Sequence, residues 1–374
     1  MGKRKYDRYG IVRFVMVLLV WICHYNILME YPKVELEWVN HIFRGIMSII
    51  IKVGIQIGGR MPICFFELSG FVMYRSYFFK ICNSQIDFKG YMWKRIIRLY
   101  PLMLFSILMA SCGQWLYFFL HGDWWTGRKN DIWHMLISLT GVSVGTFANT
   151  IDTVNGPIWY ISVLMICYIL FYIIIRYSES SQTKYINCIL FILVGIGIDS
   201  YGINLPFLTS HCALGYVGFF SGVILGKVLD DEMIEKKVKG YAVGVLTLFL
   251  FVLIVFRENV FLFIGQDVYW LAFLLFPSII IFVEKLKISS WLENAFFAWL
   301  GKISFSIYLL HVPVFIWCSI ARKSGGGYLQ GWLEISFILT ILCAIGGSFI
   351  EPFLSQQFDK IIKLLMIVVS KEDA

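Results

Sequence analysis

Apolar residues fill this chain in long blocks, separated by short polar stretches. The first block, IVRFVMVLLVWICHYNILM, covers the nineteen residues from Ile11 to Met29. A hydrocarbon core of about 30 Å needs about 20 apolar residues in a helix to cross it. By length and hydropathy, the blocks predict ten membrane spans: 10–29, 60–79, 96–120, 157–176, 186–202, 209–229, 240–257, 266–284, 301–320 and 330–351. The stretch 41–58 is apolar but carries Arg44, Lys52 and several glycines, so it reads as an interfacial or re-entrant helix. Residues 131–150 read as a second partial insertion, and Phe358 to Val369 as an amphipathic stretch on the membrane surface. The first block is too long for the apolar core of a signal peptide and lacks a small-residue cleavage site, so it is expected to stay as a helix. The expected fold is an all-α polytopic membrane bundle of about ten helices. No stretch between spans is long enough for a separate soluble domain, so residues 1–374 read as one domain.

Composition agrees: the chain is 59% hydrophobic and 15% charged, against about 25% charged in soluble domains. Charge sets the orientation. With the N-terminus inside, 23 of the 32 Lys and Arg residues fall on the cytoplasmic side, as the positive-inside rule requires. This predicts both termini in the cytoplasm and a multi-pass protein of the cell membrane. The net charge of +8 follows from the same bias, and no nucleic-acid role is needed to explain it. The nine cysteines are scattered without a C-x-x-C pair, and the six histidines show no H-E-x-x-H. No metal site or disulfide framework is expected. The absence of G-x-x-x-x-G-K-[ST] argues against a nucleotide hydrolase.

Five short stretches carry candidate chemistry. In the first span Arg13 and His24 are eleven positions apart, which at about 100° per residue leaves them on one helix face, roughly 16 Å apart along the axis. Arg13 lies near the cytoplasmic edge and His24 past the middle, where ionisable groups usually line a polar pathway. In YMWKRIIRLYP, Arg95 and Arg98 share a face and Lys94 adds a third cation. Guanidinium forks suit phosphate, so with Arg13 these residues suggest a polyphosphate site. CFFELSGFVMY puts Glu67 in apolar surroundings, where it could pair with a cation or orient His24. NGPIWYISVLM begins a span with Trp159, a residue for an aromatic belt or for stacking on a carbohydrate. GKISFSIYLLHVPV places Tyr308 and His311 on one face of the ninth span, and Glu351 closes the tenth near the cytoplasmic cations.

Taken in order, R-x10-H, FFELSGF, RIIRLYP, GPIWYISVL and ISFSIYLLHVPV resemble the acyltransferase-3 family of integral membrane O-acyltransferases, over about residues 8–355. The resemblance implies a ten-helix bundle that moves an acyl group, acetyl by default, from cytoplasmic acetyl-CoA to a hydroxyl of a glycan or lipid-linked saccharide. It implies CoA phosphates on Arg13, Arg95 and Arg98, with the pantetheine arm extended toward His24. A neutral imidazole, with an ordinary pKa of about 6.5, suits the removal of a hydroxyl proton; a covalent acyl-histidine is the other route. The chain departs from the family where many members carry an acid just before the FF pair. Here Ile63 and Cys64 stand there, and the acid is Glu67 one turn later. A different class, a transporter or flippase without chemistry, would use the same buried ions, but no internal repeat supports it.

Overall fold

The structure is a computed structural model that describes residues 8–29, 50–127, 130–141, 153–231, 238–255, 267–285, 293–326 and 331–372. Among these, the chain is helical and has no β-strand. The helices are α1 (Gly10–Leu28), a short α2 over 50–57, α3 (Met61–Cys82), α4 (Phe88–His121), α5 (Ile132–Leu139), α6 (Ile158–Tyr177), α7 (Ser181–Ser200), α8 (Ser210–Leu229) and α9 (Gly240–Val255). Then come α10, made of Asp267–Trp270, a π turn at Leu271–Leu275 and Phe276–Lys285, followed by α11 (Ala295–Ala321) and α12 (Trp332–Glu372).

Each of the ten expected spans coincides with a helix. Eight of them are long and apolar enough to cross a bilayer by length and composition. The other two are α9, whose apolar run is shorter, and α3, which carries Glu67, Arg75 and Lys80 among its apolar residues. The candidate re-entrant helix is seen only over 50–57; residues 41–49 lie outside the described residues. The candidate insertion at 131–150 is helical over Ile132–Leu139, and residues 142–150 are again outside.

Capping residues set several starts. Asp87 accepts from the Gly90 amide at 3.1 Å, so α4 begins at Phe88, about two turns before the pair Arg95 and Arg98. The same role falls to Ser180, Thr209 and Asn294 at the starts of α7, α8 and α11. The interior of the bundle is α6, α8 and α11: 83% of the apolar window of α11 is buried, against 22% for α7 and 28% for α12 on the lipid side. α3 and α8 approach backbone to backbone. A Cβ at Gly70 would lie 1.8 Å from the Phe219 carbonyl oxygen, and one at Gly222 would lie 1.9 Å from that of Glu67, so only glycine fits at either position. α11 packs against α1, α4 and α12.

Pro101, Pro313 and Pro352 sit inside helices, and each removes the N–H that would bond the carbonyl four residues earlier. At each of these three a side chain supplies the missing donor. Pro101 frees Ile97, whose carbonyl accepts from Ser355 Oγ on α12 at 3.1 Å. Pro313 frees Leu309, which accepts from Asn155 Nδ2 at 2.9 Å. Pro352 frees Ser348, which accepts from Lys302 Nζ on α11 at 2.7 Å. Inside a bilayer, where water cannot serve, such bonds let the helices run on. This explains one difference from expectation: the tenth span does not end near 351 before a separate surface stretch, but continues through Pro352 as a single helix to Glu372.

Candidate active site

At the N-terminal end of α1 the helices enclose a cavity of about 420 Å³. Its charged lining is Arg13 from α1, Arg95 and Arg98 from α4, Lys302 from α11 and Glu351 from α12. Four cations face one carboxylate, so the cavity favours an anion. Arg95 is 6% exposed and rests against three tyrosines from three helices. Its guanidinium carbon lies 4.3 Å from the centre of the Tyr77 ring, 5.6 Å from Tyr91 and 5.7 Å from Tyr168. Ring faces attract the cation but do not satisfy its in-plane N–H groups, and Nε and Nη2 are buried without a hydrogen-bond partner. A buried guanidinium with unbonded donors in a cavity wall is a ready site for phosphate oxygens.

Phe65, Tyr160 and Tyr308 line the cavity, and their rings contact one another with centroids 5.4–6.1 Å apart. Its wall on α11 stops at Tyr308, whose hydroxyl donates to the Pro157 carbonyl at 3.1 Å. One turn further is His311, fully buried, its ring 6.2 Å from that of Tyr308. His311 meets His24 of α1: His24 Nδ1 lies 2.7 Å from His311 Nε2, with the two rings 6° from parallel. His311 Nδ1 is 3.1 Å from the Ile307 carbonyl oxygen. The parallel packing of α1 on α11, with Gly10 against Phe297 at one end and Met29 against Ser319 at the other, thus joins two histidines 287 positions apart.

Of the residues singled out in the sequence, Arg13, Arg95, Arg98, Tyr308 and Glu351 line one cavity, and His24 and His311 form a pair outside its lining, one turn past Tyr308 on α11. Lys94 is exposed and outside the lining. Glu67 is also outside it: the side chain is fully buried, and neither carboxyl oxygen has a hydrogen-bond partner. It does not reach His24. Trp159 packs its ring on His211, with centroids 4.5 Å apart, away from the cavity. Sequence reading missed Lys302, which counted only as inside charge, and the tyrosines around Arg95. One signal was available: Tyr160, Leu164 and Tyr168 recur every fourth residue and all face the cavity.

The acyltransferase domain family matches residues 7–354, nearly the whole chain. No curated protein and no solved structure matches it.

Proposed function

Because the chain belongs to the acyltransferase-3 family, we propose that it transfers an acetyl group from cytoplasmic acetyl-CoA to a hydroxyl of an exported or cell-surface glycan or glycolipid. The observation that carries the donor half is the buried Arg95 guanidinium, with unbonded Nε and Nη2, in a cavity of four cations and one carboxylate. Arg13, Arg95, Arg98 and Lys302 hold the phosphates. The 23 to 9 division of Lys and Arg supports a cytoplasmic position for this end of the bundle. From Arg13 to His24 is roughly 16 Å along α1, so the thin arm of the donor passes Phe65, Tyr160 and Tyr308 to bring its thioester to the histidine pair. When bound, the donor supplies an acyl carbon activated by sulfur.

The chain's own residues handle the proton. His24 takes the proton from the acceptor hydroxyl as its oxygen bonds to the acyl carbon, and returns it to the sulfur as the carbon–sulfur bond breaks. General-base catalysis of this kind contributes about 10² to 10⁴ in rate.

The test uses membranes containing the chain or its His24→Gln variant at equal abundance. They are incubated with radiolabelled acetyl-CoA and exported polysaccharide, and base-labile label on the polysaccharide is counted. Glutamine keeps polarity and approximate size but cannot titrate, so label is expected to fall to background. Retention of most of the label would make His24 a structural contact and overturn the assignment.

A further inference from the structure

We infer that His311 is a positioning residue that decides which nitrogen of His24 is the base: both rings are held as Nδ1–H tautomers, leaving Nε2 of His24 bare. This rests on the proposed role of His24, but its geometry is independent of the acyl donor.

The assignment starts at a group that cannot donate. The Ile307 carbonyl oxygen only accepts, so the 3.1 Å contact puts a proton on His311 Nδ1. A neutral His311 then has a lone pair, and no proton, at Nε2. His24 Nδ1 lies 2.7 Å from that lone pair. Two bare nitrogens at this distance would repel, so His24 carries its proton on Nδ1 and donates it to His311. The near-parallel rings, 6° apart, let that N–H lie in the plane of the accepting lone pair. His24 Nε2 is left unprotonated.

A histidine side chain in water favours the opposite tautomer, with the proton on Nε2. The pair therefore holds both histidines in the less common form, and the order of contacts fixes it: carbonyl, then His311, then His24. Phe315 closes another side of His311, its ring centre 5.6 Å away. Among the described residues neither histidine contacts a carboxylate. Once His24 Nε2 gains the hydroxyl proton, its Nδ1–H becomes a charge-assisted donor to the neutral His311 Nε2. Passage of that Nδ1 proton to His311 would leave His311 with two N–H groups, one still bonded to Ile307. His311 thus shares the positive charge in a place where protein triads use a carboxylate.

Solid-state ¹⁵N NMR of histidine-labelled protein in lipid bilayers reads the tautomers directly. The spectra of His24→Gln and His311→Gln assign the two residues among the six histidines. At a pH where both are neutral, each is expected to show a protonated Nδ1 and a bare Nε2. A protonated Nε2 on His24 in the unaltered protein would overturn the inference without needing any variant to fold. In His311→Phe, His24 loses its acceptor and should move to the Nε2–H form. There kcat is expected to fall at least 10²-fold, within the range of general-base catalysis, while KM for the donor holds. An unchanged His24 tautomer in that variant would also overturn it. The two ideas fail separately: an active His24→Gln removes the base and leaves the tautomers standing, whereas a wrong tautomer with an inactive His24→Gln removes only the relay.

Discussion

Asn155 and Pro313 form a pair whose energetics can be measured by a double-mutant cycle. Pro313 has no N–H, so the Leu309 carbonyl depends on Asn155 Nδ2 at 2.9 Å. Asn155→Ala leaves that carbonyl buried and unbonded, a loss of about 1–3 kcal/mol in protein interiors; interhelical bonds in membranes are weaker, averaging about 0.6 and reaching about 1.7 kcal/mol. The variant also loses the bond from Nδ2 to Ser106 Oγ at 3.1 Å and the side chain's packing. Those losses are the same whatever stands at 313. Pro313→Ala gives residue 313 an N–H that bonds Leu309 within the helix. In that background Asn155→Ala costs only the shared part. The difference between the two backgrounds is expected to be about 1 kcal/mol, above the scatter of about 0.3–0.5 kcal/mol for independent sites. Equilibrium unfolding in mixed SDS micelles would measure all four corners. Equal destabilisation by Asn155→Ala in both backgrounds would show that the Leu309 carbonyl does not depend on Asn155 and would refute the pairing.

The cavity makes two further predictions and the α3–α8 contact a third. Arg95→Ala should raise the donor KM at least tenfold and Arg95→Lys should recover only part of it, because lysine keeps the charge on the tyrosine rings but lacks the fork; steady-state kinetics with acetyl-CoA at low and high salt would check this. Pro352→Ala gives the Ser348 carbonyl an in-helix donor and so releases Lys302. It should change the donor KM in the same direction as Lys302→Met but by less, and equal kinetics for all three proteins would remove Lys302 from the phosphate site. Gly222→Ala forces α3 from α8 at a contact of 1.9 Å and should cost about 1–3 kcal/mol as overpacking does, seen as a lower Tm in detergent; an unchanged Tm would refute the close approach.

Much of the bundle was legible because a bilayer imposes one requirement on each span, a long apolar run, and eight of the ten helices meet it by length and composition. Arg13 and His24 were legible for a similar reason: both lie on one helix, and eleven steps bring them to one face. Where the reading depended on which face of a helix packs inward, it lost precision. Arg95 and Lys94 are neighbours in sequence, yet about 100° of helix rotation separates them, so that Arg95 enters a tyrosine cage and Lys94 faces outward. Glu67 looked catalytic because a carboxyl in an apolar span demands a reason. It lies on α3, beside the tight backbone contact with Gly222, and no periodicity along α3 could reveal that α8 covers it.

The partners of histidines and prolines were illegible for a different reason. His24 and His311 are joined by the packing of α1 on α11, and no local rule links positions 287 apart. Pro101 and Pro313 fell inside predicted spans, but Pro352 stood just past the predicted end of the tenth at 351, so a helix continuing through it was not expected. The physical chemistry nevertheless leaves a searchable trace. A proline inside a span creates one carbonyl that must find a donor in a medium that offers none. Pro101, Pro313 and Pro352 find it on a polar side chain outside their own helix: Ser355, Asn155 and Lys302 respectively. Two of these donors, Ser355 and Lys302, lie on helices that are otherwise strongly apolar. A polar residue without another evident purpose in a span, taken together with a proline in a different span, therefore specifies a candidate interhelical contact. In Lys302 that contact also aims a cation into the cavity beside Arg13, Arg95 and Arg98, so the requirement that lets α12 run on past Pro352 helps to build the anion site.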